Sequence, residues 1–151
     1  MKNMHSFAIV SALIVVLLIP AFAQDNNLPE YGDISDLKTL QKVYLTADST
    51  DSRNLILKEL KKYPALSIVS SPEEAEFFIE YRVLRHQDTQ TGIIKGPPIT
   101  FSEMAVFTLK DKRRRIAWSK TEDDAGISRP NEMNLTRNFI KALKKARGEK
   151  K

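Results

Sequence analysis

Residues 42–69 read KVYLTADSTDSRNLILKELKKYPALSIV, and three physical patterns follow one another within them. Val43, Leu45 and Ala47 alternate with Tyr44 and Thr46, the two-residue period of a strand with one buried face. Asp48-Ser49-Thr50-Asp51 then offers short oxygen-bearing side chains that satisfy the unpaired N–H groups at a helix start. In the helix that follows, Ile56, Leu57, Leu60 and Tyr63 share one face and Lys58, Lys61 and Lys62 another, until Pro64 stops it. Leu66-Ser-Ile-Val69 is a second strand. Strand, helix and strand joined by short connections predict a right-handed β-α-β unit with parallel neighbouring strands.

Downstream, Ser71-Pro72-Glu73-Glu74 predicts a helical turn or two, capped by Ser71 with Glu74 completing a capping box. Phe77, Ile79, Tyr81 and Val83 alternate with Phe78, Glu80 and Arg82, a long strand with one apolar face. Residues 86–98 hold Gly92, Gly96, Pro97 and Pro98 and read as a loop or ragged hairpin. A strand over Phe101–Leu109, a polar turn over Lys110–Arg114 and a return through Ile116-Ala117-Trp118 make a hairpin. Ser128 caps a last helix in which Leu135, Phe139, Leu143 and Ala146 recur at helical spacing. Each helix carries one apolar stripe, so both cover the same side of one sheet. The expected fold is α/β (α+β): a two-layer sandwich in the order β-α-β-β-β-β-α, with one mixed five-stranded sheet ordered 2-1-3-4-5.

Upstream, residues 24–36 are rich in Asp, Asn, Gly and Pro and read as a flexible leader. Lys2, the uncharged run Phe7–Ile19, Pro20 and Ala21-Phe22-Ala23 form the three-part layout of a secretory signal peptide. The apolar run is shorter than the roughly 20 residues of a bilayer span, which favours cleavage after Ala23 over a membrane anchor. The absence of Cys removes lipid attachment through that residue, and disulfides with it. The expected organisation is therefore a signal peptide over 1–23, a leader over 24–36, one domain over 37–147 and a basic tail over 148–151. Localisation follows as exported, to a periplasm or beyond.

Of 151 residues, 42% are hydrophobic and 28% charged, which suits one globular domain and excludes collagen-like and low-complexity classes. The net charge is +5, and loss of Lys2 with the signal peptide leaves +4. The surplus is local: residues 137–151 carry seven cations and a single anion, Glu149.

Val43-Tyr44-Leu45, the helix ending Leu60-Lys-Lys-Tyr63, the stretch from Ser70 to Ile79 and the hairpin strand Arg115-Ile-Ala-Trp118 resemble small bacterial envelope α/β domains. The N-terminal domain of the translocation protein TolB is one of these, and the resemblance spans residues 37–147. It implies a binding or assembly module, and it brings no catalytic motif to transfer.

Chemistry-bearing patterns are sparse. His86 lacks the Cys and His partners of a zinc site, and as a base it needs a Ser or Thr brought to it by folding. Glu122-Asp123-Asp124 lacks the spacing of a calcium loop, and the five glycines form no phosphate cradle. Asn134-Leu-Thr136 matches a glycosylation acceptor inside a helix. No catalytic residue, metal site or cofactor is assigned. The feature above background is basic charge: Lys112, Arg113 and Arg114 at the hairpin tip, and Lys141, Lys144 and Lys145 on the last helix opposite its apolar stripe. They are the candidate partner-binding residues, for an envelope protein or an anionic surface, with nucleic acid disfavoured by export. The alternative is a hydrolase whose Ser, Asp and His86 meet only on folding.

Overall fold

A computed structural model of the chain describes residues 29–86, 99–110, 112–123 and 130–149. The signal peptide expected over 1–23, the loop over 87–98 and the proposed cap Ser128 lie outside the described residues. Six strands and two α-helices are present among those described: β1 (Glu30–Tyr31), β2 (Lys42–Ala47), α1 (Thr50–Leu60), β3 (Ser67–Ile68), β4 (Phe77–His86), β5 (Ile99–Lys110), β6 (Arg113–Asp123) and α2 (Asn131–Arg147). They form one sheet in the order β1-β6-β5-β4-β2-β3. Pairing of β2 with β3 and with β4 is parallel, whereas β4-β5 and β5-β6 are antiparallel. The mixed α/β sandwich and the order of its five expected strands thus stand as the sequence predicts.

Two expectations need correction. The leader over 24–36 is part of the fold from Glu30 on: β1 adds a sixth strand, parallel to β6, and Gly32 donates its N–H to the Ile116 carbonyl at 2.8 Å. A short 3-10 helix over Ile34–Leu37 follows, in which Asp33 accepts from the Ser35 N–H at 2.7 Å and Leu37 is fully buried. The last helix begins at Asn131 behind Pro130, whose side chain offers no capping bond.

Both helices pack on one face of the sheet, α1 over β2 and α2 over β5 and β6, and against each other. Strand alternation supplies that face with Val43, Leu45, Phe77, Ile79, Tyr81, Met104 and Val106, and the helices with Ile56, Leu60, Leu135, Phe139 and Leu143. Where a polar group enters this layer it is bonded: Tyr81 Oη donates to Ser102 Oγ at 3.0 Å, and Asn131 Nδ2 to the same oxygen at 3.2 Å. Ser49 caps α1 by accepting the Ser52 N–H at 3.0 Å. Gly148, at φ 72°, closes α2, and the Glu149 N–H reaches back to the Lys144 carbonyl at 3.0 Å.

The opposite sheet face carries a cross-strand aromatic row. Tyr44 meets Phe78 edge-on at 6.2 Å between centroids, Phe78 stacks on Phe107 at 5.3 Å, and the Arg114 guanidinium lies 3.9 Å from the Phe107 centroid. A register shift makes the row possible. Val106 pairs with Trp118 and Phe107 with Ile116, so Ala117 is the extra residue of a β-bulge. The bulge turns Ile116 with Phe107 to the open face, while Trp118 packs on Phe139 at 5.6 Å in the core.

Phe139 is fully buried between Phe77 and Trp118. Phe139→Ala should therefore cost about 3–5 kcal/mol, the usual range for emptying such a site. Urea unfolding followed by the emission of Trp118, the single tryptophan, measures it.

Candidate functional site

Where α1 and α2 meet, Glu59 lies among the apolar positions of α1 and is 2% exposed. A carboxylate held there needs donors. Arg137 of α2 supplies two, Nε to Oε2 at 2.9 Å and Nη2 to Oε1 at 3.1 Å, and Lys62 Nζ adds a third at 2.6 Å. The Arg137 hydrogen bonds, chiefly, hold the Glu59 pKa at about 2 against the upward push of burial, with Lys62 adding to the effect. The same pairing raises the pKa of Arg137. One turn earlier on α2, Ser52 Oγ donates to Glu132 Oε1 at 2.7 Å and ties the two helices again.

The far end of this seam is closed by the C-terminal residues. Tyr63 Oη donates to the Glu149 carboxylate and accepts from Arg147 Nη1 at 3.0 Å, while Arg147 Nη2 donates to the Leu40 carbonyl. Burial and the Glu149 bond together raise the Tyr63 pKa. Between the helices lies a groove of about 570 Å³, with Tyr63 and Ile140 as its apolar floor and Lys62, Lys141, Lys144 and Lys145 on its banks. Lys144 Nζ lies 5.1 Å from the Tyr63 ring centroid. Lys141, Lys144 and Lys145 make no ion pair with any described residue.

The other candidate cations stand elsewhere. Lys112, Arg113 and Arg114 line a second groove, of about 420 Å³, together with Glu80, Arg82 and Glu103. Glu80 lies between the core residues Ile79 and Tyr81, so this groove is on the open face of the sheet, away from the helices. The expected turn over Lys110–Arg114 is narrower in the structure: Lys110 ends β5, Arg113 and Arg114 belong to β6, and Lys112 stands at φ 64°. Arg114 and Arg82 both pair with Glu80. Burial pushes the Glu80 pKa up, but the hydrogen bonds from these two arginines outweigh it and leave it lowered. The six candidate residues therefore form two separate sites, one on each layer.

Of the remaining sequence candidates, His86 ends β4 opposite Ile99, and its side chain lies outside the described residues. Glu122 accepts from Asn138 at 3.1 Å and pairs with Lys120 at 2.9 Å, which places it in the fold rather than in a free acidic loop. Among the described residues no group of three His, Cys, Asp or Glu side chains converges to hold a metal, and no helix is long and apolar enough to cross a membrane. The sequence reading passed over Glu59; its signal is a carboxylate three residues after Ile56, within the apolar stripe.

No family model matches the chain, and no curated protein matches it. Among solved structures it is similar to a PelC dodecamer from Paraburkholderia phytofirmans, at 12% identity over 77% of this chain and 93% of that one, with a TM-score of 0.44. It is also similar to a hypothetical protein from Chlamydia trachomatis, at 10% identity over 72% and 96%, with a TM-score of 0.38. A third similarity is to rare lipoprotein B from Shewanella oneidensis, at 16% identity over 70% and 90%, with a TM-score of 0.32. These are bacterial proteins, two of them hypothetical or lipoprotein by description, and at such scores they decide neither family nor activity. The TolB likeness expected from sequence finds no support in these comparisons.

A folded-state pKa lowered to about 2 means that Glu59 contributes stability above its ordinary value of 4.5 and loses it as pH falls from there through about 2. Over that window the unfolding free energy of the wild type should drop by on the order of 2 kcal/mol more than that of Glu59→Gln. Urea titrations of both proteins at pH 6, 4 and 2 read the difference, and parallel curves would remove the role given to this carboxylate.

Proposed function

We propose that this protein is an exported binding module without catalytic chemistry of its own, and that it engages an anionic partner in the cell envelope through the groove between α1 and α2. One observation carries the reading. Five arginines are spent within the fold: Arg82 and Arg114 on Glu80, Arg115 on Asp36 at 3.3 Å, Arg137 on Glu59 and Arg147 on Tyr63 and Leu40, while Arg53, Arg85 and Arg113 stand singly on other elements. Lys141, Lys144 and Lys145 instead stand unneutralised beside an apolar floor. Like charges at such spacing repel, and an anion docked between them relieves the repulsion. The signal-peptide layout of residues 1–23 supplies the compartment, and the basic character of α2 supplies the kind of partner.

Chromatography on a sulfated polyanion matrix tests this, with a neutral matrix as control. Wild-type protein should be retained at low salt and released as salt rises past physiological strength, where screening acts within about 8 Å. Lys141→Glu/Lys144→Glu/Lys145→Glu should lose retention. Lys112→Glu/Arg113→Glu should keep most of it, because those cations line the other groove, on the open face of the sheet. Equal retention of all three proteins would refute the assignment of the groove.

A further inference from the structure

Resting on that reading, we infer that the occupant of the α1–α2 groove is an acidic helical segment of another protein, laid along α2 with its carboxylates facing the lysine row. The argument begins with spacing. Lys141, Lys144 and Lys145 fall at i, i+3 and i+4 of one helix, so their cations follow one bank for about 6 Å, one turn beyond Arg137, which Glu59 already holds. A single small anion needs cations that converge on a point, whereas a row at this period matches glutamates at the same period on a second helix.

The floor points the same way. The half-buried Ile140, with the edge of the mostly buried Tyr63 ring, makes an apolar spot between two helices, against which an apolar side chain of a third amphipathic helix packs. A carboxylate is already accepted there: Glu149 lines the groove and takes the Tyr63 hydroxyl proton in a hydrogen bond, beside Lys144 and Lys145. It shows which group the site holds, and it also competes with an incoming one. A lipid surface fits less well. The exposed positions of α2 are the lysines Lys141, Lys144 and Lys145, and the exposed large apolar residues among those described, Tyr31, Val83, Leu84 and Leu109, all lie on strands. The helix has nothing apolar to insert into a bilayer, and a bilayer does not reach a floor sunk between two helices.

The probe is a fluorescein-labelled helical peptide with glutamates at i, i+3 and i+4 and leucines along the adjacent face. A second peptide replaces each glutamate by glutamine. Anisotropy at low salt should show saturable binding of the acidic peptide, weaker by roughly tenfold for the glutamine peptide and for the Lys141→Gln/Lys144→Gln/Lys145→Gln variant, as expected for three exposed ion pairs. Glu149→Gln should bind about two- to threefold tighter, because a competing charge is removed while a hydrogen-bond acceptor for Tyr63 remains. Resonances of Tyr63 and Ile140 should shift on peptide addition. A peptide that fails to bind, binds all variants equally, or leaves Tyr63 and Ile140 unshifted overturns the inference. If that failure comes with lysine-dependent retention on the polyanion matrix, or lysine-dependent binding to phosphatidylglycerol vesicles, the anionic-partner reading survives it; if retention also ignores the lysines, both fall.

Discussion

The bidentate contact of Arg137 with Glu59 is the constraint on which the helical layer depends. It joins the two helices through residues 78 apart in sequence, at a point where one partner is almost fully buried. Such a pair adds little net stability compared with a well-packed apolar substitute, but an arrangement that strands either charge is heavily penalised. Only one placement of α2 beside α1 puts the guanidinium fork on the carboxylate. That placement brings Ile140 beside Tyr63 and carries α2 to the end where Arg147 and Glu149 close on the tyrosine hydroxyl. The groove is a by-product of this docking, and its shape follows from the ion pair at its base.

The division of labour between arginine and lysine follows from their chemistry. A planar guanidinium presents fixed donors that suit a carboxylate, a carbonyl or an aromatic face, and Arg137, Arg82, Arg114 and Arg147 bind Glu59, Glu80, the Phe107 ring and the Leu40 carbonyl in this way. An ammonium on a flexible stem stays hydrated and gains less from a fixed contact. Lysines therefore remain at the surface of α2, where their charge is available to something outside the chain.

Much of the architecture is legible in the sequence because its periods are clean. The alternation of Val43 with Leu45 and of Phe77, Ile79 and Tyr81 identifies the core face, and the helix between two short strands dictates the parallel crossover that sets the strand order. Strand β1 was hidden, since two residues carry no period and both are exposed; its partner Arg115 and the short helix after it reveal it only in three dimensions. The bulge at Ala117 was equally hidden, because Ile116 and Trp118 read as one face until an extra residue separates them. The lysine cluster on α2 was visible from helical spacing alone. Its separation from Arg113 and Arg114 was not, because the sheet face a strand residue occupies depends on register. Glu59 and Glu149 acquire meaning only when distant residues supply their partners.

The central claim is that this ion pair sets the docking of α2 and, through it, the groove, and a double-mutant cycle tests that most directly. Glu59→Gln, Arg137→Gln and the double variant are unfolded in urea at pH 7, and the shifts of Tyr63 and Ile140 are recorded for each. The account predicts a coupling of about 2 kcal/mol, within the range for contacting groups, with the single variants nearly as destabilised as the double and Tyr63 and Ile140 perturbed in all three. Additive single effects, with the Tyr63 and Ile140 signals unchanged, would contradict it.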